Sequence, residues 1–399
     1  MVNSGCPVHA TSFPFSHHDP SLNETNLWTT YEGLREHGPV FHSDQHGGFW
    51  VVHQFDEVRQ ALRDTESLSS ARGHRIPEMA AEPSIPVDFD APKHPKYRAL
   101  ITEVLTPQVV REMEPEIDAM MRGVLQNFVA DGGGDIIRKI ALPIPLKVLQ
   151  RIAGFAPETV DQFRVMTDAI WVDIATANAQ RPREEFNKLL LHEVEDRRKA
   201  PREDFVSSLL QAEIDGQALT EGEILNTLTT LAVGGHETSM NSISSLFYLL
   251  ARDPDLQARL RSGEINTRSF VEELLRYGTP IQVTARVTLR PVTIGGQLIP
   301  ENNWVLLLLG AANRDAEHFE DPQSFNPDAQ ARAHLAFGWG VHQCAGAALA
   351  RAELRLLIEA IKDMPPFELD GPVKFSHLQG GTHFGPTVLP VSIRTAASV

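Results

Sequence analysis

From Asp56 onward, apolar residues recur mostly at intervals of three and four, the spacing that lines one face of an α-helix. The pattern predicts helices over Glu57–Arg63, Tyr97–Leu105, Pro107–Ala130, Pro145–Ile152, Pro157–Ala177 and Glu184–Lys199. A longer helix should run from about Glu221 to Arg252, opened by a capping box of Thr220 and Glu223 and ended by Asp253-Pro254. Another spans Thr267–Tyr277 and stops at Gly278-Thr279-Pro280, and a last one covers Ala347–Ile361. Strand patterns are short: a hairpin within Pro39–His53 turning at Gly47-Gly48, then Thr284–Thr288, Val292–Ile294 and Val305–Leu309. Val388–Ile393 reads as a further strand, which Pro390 places at a sheet edge. Helices dominate, so the expected fold is mainly α with a minor β-sheet region. No repeat, low-complexity tract or linker breaks the pattern, which makes residues 1–399 a single domain with a polar tail over 1–23.

With 399 residues and 42% hydrophobic content, the chain can bury a sizeable core. Its 52 acidic against 36 basic residues leave a net charge of −16, which argues against nucleic acid and against an anionic membrane surface as partners. No apolar run reaches the ~18 residues of a transmembrane helix, and Met1–Asn23 lacks the charged-then-apolar order of a secretory signal. Two cysteines, Cys6 and Cys344, have no plausible pairing, as expected in a reducing compartment. The reading is a soluble, cytoplasmic, monomeric protein.

Cys344 carries the strongest chemical signal. It lies in the glycine-rich loop Phe337 to Gly346, just before the predicted helix that starts at Ala347. Free N–H groups and the helix dipole at that end favour a thiolate, and Phe337 offers an apolar lid beside the sulfur. Such a sulfur suits the axial position of a haem iron. Three plainer readings compete: a small buried hydrophobe, half of a zinc site with His342, or a nucleophile for which His342, two residues away, is a doubtful base. Elsewhere, Gly234-Gly235 inside the long helix costs about 1 kcal/mol per glycine against Ala, which close helix packing or a ligand groove would explain. Glu237 and Thr238 follow directly, an acid and an alcohol able to relay protons, although Thr238 could simply bond back to the helix. Glu273 and Arg276 share a helix face, as do His94 and Arg98. Arg286 stands among apolar strand neighbours and needs an anion.

Together these segments resemble the cytochrome P450 family of haem-thiolate monooxygenases, in order and along essentially the whole chain. The Cys344 loop meets F-x-x-G-x-H-x-C-x-G at every fixed position. Gly234 to Thr238 fit (A/G)-G-x-(D/E)-T, and Glu273 with Arg276 fit E-x-x-R. Ala312 to Asp315 and Phe319 to Pro322 look like the run that precedes the family's cysteine loop. The resemblance implies a triangular helical prism and a haem b cofactor, with dioxygen as co-substrate. It implies that Cys344 ligates iron, that Phe337 and Gly346 belong to the cofactor loop, and that His94, Arg98, Arg286 and His342 hold the propionates. Glu237 and Thr238 would deliver protons during dioxygen activation, and Glu273 with Arg276 would lock a helix to the loop before the cysteine. One departure concerns the position after Phe325-Asn326-Pro327-Asp328, where the family usually has Arg and this chain has Ala329; either Arg332 substitutes or the network is thinner.

The resemblance also implies external electrons. Too little chain follows Cys344 for a fused reductase, so a ferredoxin and its NAD(P)H-dependent reductase are the expected source, with Lys93, Lys96 and Arg351 as candidate docking cations. The substrate is expected to be a small, largely hydrophobic organic molecule, subject to hydroxylation, O-dealkylation or epoxidation. Val233, Gly234, Ile281, Gln282 and Val283 would line its pocket with parts of the Arg72–Ile85 loop, the Phe163–Ile174 region and the turn at Thr382-His383-Phe384. Gln282, His383 or Arg72 are candidate polar anchors. A peroxide-driven haem-thiolate enzyme and a non-catalytic haem carrier are the alternatives, and the Glu237–Thr238 pair weighs against both.

Overall fold

The Thr220 and Glu223 capping box forms as expected and starts a helix that runs Glu221–Arg252 without interruption. It buries Leu228, Ile243, Leu246, Phe247 and Leu250 completely and touches the helices Pro143–Ala153, Gln180–Lys199, Phe205–Gln211 and Thr267–Gly278. This computed structural model describes residues 12–78, 83–159, 162–163, 180–329, 333–376, 378 and 381–394. Cys6, Arg332, most of the expected Pro157–Ala177 helix and pocket region Phe163–Ile174, and residues 79–82 of the Arg72–Ile85 loop lie outside them.

Most helix ends fall within a few residues of the periodic pattern. The largest shifts are at Gln180–Lys199, expected from Glu184, and at Lys93–Val104, which begins ahead of the expected Tyr97 because the Asp90 carbonyl accepts the His94 N–H at 2.8 Å; His94 and Arg98 therefore both lie inside the helix. The cysteine helix, Ala347–Lys362, packs along Pro107–Ala130.

The larger sheet has five strands in the order Val40–Ser43, Phe49–Val52, Trp304–Leu308, Val283–Thr288, Leu68–Ser69. Only the Phe49–Val52 and Trp304–Leu308 pair is parallel. Val305 to Leu308 are buried throughout, as a strand covered on both faces requires. Pro390 is a correction. Strand Pro390–Ile393 is not an edge but the middle of a three-stranded sheet, between Phe367–Leu369 and Gly133–Asp135. Proline is tolerated there because it is the strand's first residue, and its carbonyl still accepts the Asp370 N–H at 2.9 Å.

One buried ion network knits three segments. Arg197, fully buried, donates from Nη1 to Glu193 at 2.5 Å and from Nε to Asp204 at 2.9 Å, and from Nη2 to the Gly154 carbonyl. Asp204 in turn caps the helix Phe205–Gln211 through the Ser207 N–H, and Glu193 accepts the Ala156 N–H at 2.9 Å.

Candidate active site: a sulfur, a donor cluster and a gapped helix

Three backbone hydrogen bonds fold the cysteine loop: Gly338 N–H to Leu335 (2.9 Å), Gln343 N–H to Gly340 (3.1 Å) and Cys344 N–H to Phe337 (2.8 Å). Gly340 makes the fold possible. Its φ is +74°, and a Cβ there would lie 2.9 Å from the Leu62 carbonyl oxygen, so both torsion and contact exclude a side chain. Gly340→Ala should lower stability by about 1–3 kcal/mol, read as a fall in the thermal unfolding midpoint. Gly338→Ala should cost less, since Gly338 shares the positive φ (+66°) but its nearest neighbour would be 3.9 Å away.

Cys344 is exposed in surface terms, yet burial dominates its chemistry and pushes the thiol up. Both hold if the sulfur faces a hollow walled by protein. The Gly346 N–H and the charges of Arg98 and Arg351 pull the other way and are outweighed. At the helix end, then, burial opposes the ionised form that the loop N–H and the two arginines favour. Among the described residues no group of three or more His, Cys, Asp or Glu is placed to hold a metal ion, which gives the zinc reading no ligand set there.

Beside this loop, four nitrogen-bearing side chains from three segments converge: the helix Lys93–Val104, the strand Val283–Thr288 and the cysteine loop itself. The His94 and His342 rings lie 4.2 Å apart. Arg98 Nη2 donates to the Gln343 carbonyl at 2.5 Å, and His342 Nε2 is 3.3 Å from Ser70 Oγ. Arg286 is buried and its Nη1 reaches only the Ala285 carbonyl (2.7 Å) and Thr284 Oγ1 (3.3 Å). None of the four is ion-paired to a carboxylate among the described residues, and His94 Nε2 is buried without a partner. Burial lowers all four: His342 falls to about 3 and Arg286 to about 10, and for the two histidines the neighbouring arginines add to it. Asp90, the nearby acid, is taken by Ser69 and Ser70. Converging donors with no anion make an anion site.

The long helix supplies the facing wall. A Cβ on Gly234 would meet nothing within 4 Å, and one on Gly235 only Leu149 at an ordinary 3.8 Å, so close packing does not explain the glycine pair. Gly234 is exposed in mid-helix, with open space where its side chain would stand. Thr238 Oγ1 donates to the Gly234 carbonyl at 3.0 Å, and Val233 is half-buried beside them. Glu237 is buried, with Oε2 3.7 Å from His383 Nε2. One residue on, Ser239 Oγ donates at 2.9 Å to Glu353 of the cysteine helix, bolting the two walls together. Burial raises the Glu353 carboxyl to about 7.

Other expected residues separate. Gln282 turns away from the pocket: its Nε2 donates to the Thr279 carbonyl at 2.5 Å, and its Oε1 fills the space above Gly310. Val283 is buried in the apolar core with Tyr31, Phe41 and Leu308, leaving half-buried Ile281 on the open side. Arg72 is spent on Glu78, Asn302 and the Trp304 ring. Lys96 is paired with Asp215 at 2.6 Å, Arg351 holds Glu272 at 2.7 and 2.9 Å, and Lys93 lies 5.5 Å over the Phe89 ring. Arg351 also caps the half-buried Phe337 ring at 4.5 Å. Arg276 is doubly bonded to Glu273 at 2.7 Å and grips the carbonyls of Asn313, Pro322 and Ser324. Ser70, Gln343 and the Ser239–Glu353 bridge were not foreseen, since no spacing in the sequence marks them.

The chain's relatives agree with this architecture. The family model described as Cytochrome P450 matches residues 147–362. The cytochrome P450 monooxygenase PikC of Streptomyces venezuelae is 32% identical over 348 residues, covering 85% of this chain and 84% of that protein. Cytochrome P450 130 of Mycobacterium tuberculosis is 33% identical over 362 residues, 86% of this chain and 89% of its own. The crystal structure of CYP109E1 from Bacillus megaterium in complex with testosterone superposes with a TM-score of 0.84 at 28% identity, over 96% of this chain and all of that one. Similarity of this extent in both sequence and fold makes the chain a member of the cytochrome P450 family, a monooxygenase and hence an oxidoreductase.

Proposed function

We propose that this single-domain protein inserts one oxygen atom of dioxygen into a small, largely hydrophobic organic substrate, using haem b ligated by Cys344. The carrying observation is the exposed, free Cys344 sulfur in the glycine loop, beside converging donors that have no carboxylate partner among the described residues. The residues fit the cofactor: the Cys344 thiol would ligate the iron, and His94, Arg98, Arg286 and His342 would supply donors for the propionates. A bound iron would also provide the positive charge that ionisation of this buried thiol lacks. When bound, the haem supplies dioxygen binding and two-electron reduction, with the thiolate favouring O–O cleavage. Phe337 shields the sulfur from water, and Gly346 donates its N–H to it. On the facing wall Glu237 and Thr238 move protons toward Gly234, where the missing side chains leave room for dioxygen and substrate. Val233 and Ile281 supply apolar walls for hydroxylation, O-dealkylation or epoxidation.

Electrons come from a ferredoxin and its NAD(P)H-linked reductase, acting on a monomer in the cytoplasm. The ion pairs of Lys96 and Arg351 make them weaker docking candidates than free cations. Apolar polycyclic compounds form the first substrate panel, because a structural relative was solved with testosterone. With the tightest binder from that panel, Glu237→Gln is expected to slow ferredoxin-supported turnover on the order of 10²-fold. Thr238→Ala should divert reducing equivalents from product to hydrogen peroxide. Product and peroxide formed per NAD(P)H consumed decide it: unchanged coupling in both variants, or wild-type turnover that needs peroxide alone, would sink the proton-delivery reading.

A further inference from the structure

The C-terminal turn Gly381 to Gly385 is hydrogen-bonded at two points to the segment 280–282 and packs against the long helix at Asn241. The Thr382 carbonyl accepts the Gln282 N–H at 2.7 Å, and Phe384 N–H reaches the Pro280 carbonyl at 3.4 Å. Gly385 lies so close to Asn241 that a Cβ would sit 2.7 Å from Asn241 Oδ1. Asn241 is one helical turn beyond Glu237 and on the same face, so seating the turn on Asn241 brings His383, two residues earlier, against Glu237. His383 and Glu237 are both about 5% exposed, with Nε2 and Oε2 3.7 Å apart. Thr382 Oγ1 lies 2.9 Å from His383 Nδ1; with the hydroxyl donating there, the ring proton sits on Nε2 and faces the carboxyl group.

This pair is not a salt bridge. Burial, then the charges of Arg75, His236 and His74, hold the imidazole down to about 3, so the ring meets Glu237 as a neutral N–H donor. The gap is beyond a hydrogen bond, but a carboxyl rotation closes it. We propose that His383 is the positioning residue for Glu237, its Nε2–H fixing the carboxyl group toward the Gly234 opening and so setting how reducing equivalents divide between product and peroxide. The proposal rests on the proton-delivery reading of Glu237. It requires a donor at this one position, whatever other contacts the two side chains make.

The test compares His383→Gln, whose amide nitrogen can stand in for Nε2, with His383→Phe, which keeps ring volume without a donor. Two signals are read on the haem-loaded protein: the C–O stretching frequency of the reduced carbon monoxide complex, and peroxide per NAD(P)H. H383F should shift the stretch and raise peroxide several-fold, H383Q should stay near wild type, and H383F should add nothing in a Glu237→Gln background. If H383F does not fold, Thr382→Val, which frees the ring, should shift the stretch in the same direction. Wild-type values for H383F (or for T382V in its place) alongside a clear E237Q effect overturn this proposal alone. Additive effects of E237Q and H383F overturn it too, while an E237Q without effect removes the proton-delivery reading beneath it.

Discussion

Cys344→Ser is expected to remove the strongly red-shifted Soret band of the dithionite-reduced, carbon monoxide-treated protein, and to abolish monooxygenation. A serine hydroxyl does not ionise where burial already pushes a thiol up, and a neutral oxygen is a poor partner for the iron that a soft thiolate serves. The substitution removes one contact and leaves the donor cluster of His94, Arg98, Arg286 and His342 intact, so some haem should still bind. Haem absorbance without the shifted band is therefore the expected spectrum. A shifted band that survives in C344S would show that the sulfur is not the ligand. No haem in the wild type, expressed with ample haem supply, would return Cys344 to the status of a buried thiol.

The second large effect lies far from any chemistry. Arg197→Met is expected to destabilise the fold by about 3–5 kcal/mol, the usual result of stripping one partner from a buried ionic network. Methionine fills much of the volume but leaves Glu193 and Asp204 charged and buried, and the Gly154 carbonyl without its donor. Three segments feel the loss: the end of Pro143–Ala153, the helix Gln180–Lys199, and the cap of Phe205–Gln211. Urea denaturation followed by far-UV circular dichroism measures it. A midpoint within experimental error of wild type would mean that water or rearranged side chains replace the guanidinium.

The helices were legible because period and caps agree locally: Thr220, Glu223 and Asp253-Pro254 place both ends of a helix of 32 residues. Pro390 misled because a proline's missing N–H matters only where the ladder needs it, and strand order is decided by distant partners at 133–135 and 367–369. At the site, loop glycines and the cysteine stand together in sequence, so their juxtaposition could be read directly. The direction of a side chain could not. Gln282 and Arg72 have anchor chemistry, but backbone carbonyls claim one and Glu78 the other. The balance at Cys344 was hidden for a related reason, since a helix terminus is visible in sequence and the depth of burial that opposes it is not.

Arg276 holds the loop before the cysteine by the carbonyl oxygens of Asn313, Pro322 and Ser324, and Glu273 takes the Asn326 N–H at 2.8 Å. Main-chain atoms are the same in every residue. The grip is therefore blind to the side chains it passes over, and that stretch can drift in sequence while its shape is kept. An alanine at 329 is one such drift: Asp328 next to it is bound by Arg259 at 2.6 Å, and the clasp on the loop closes without help from that position.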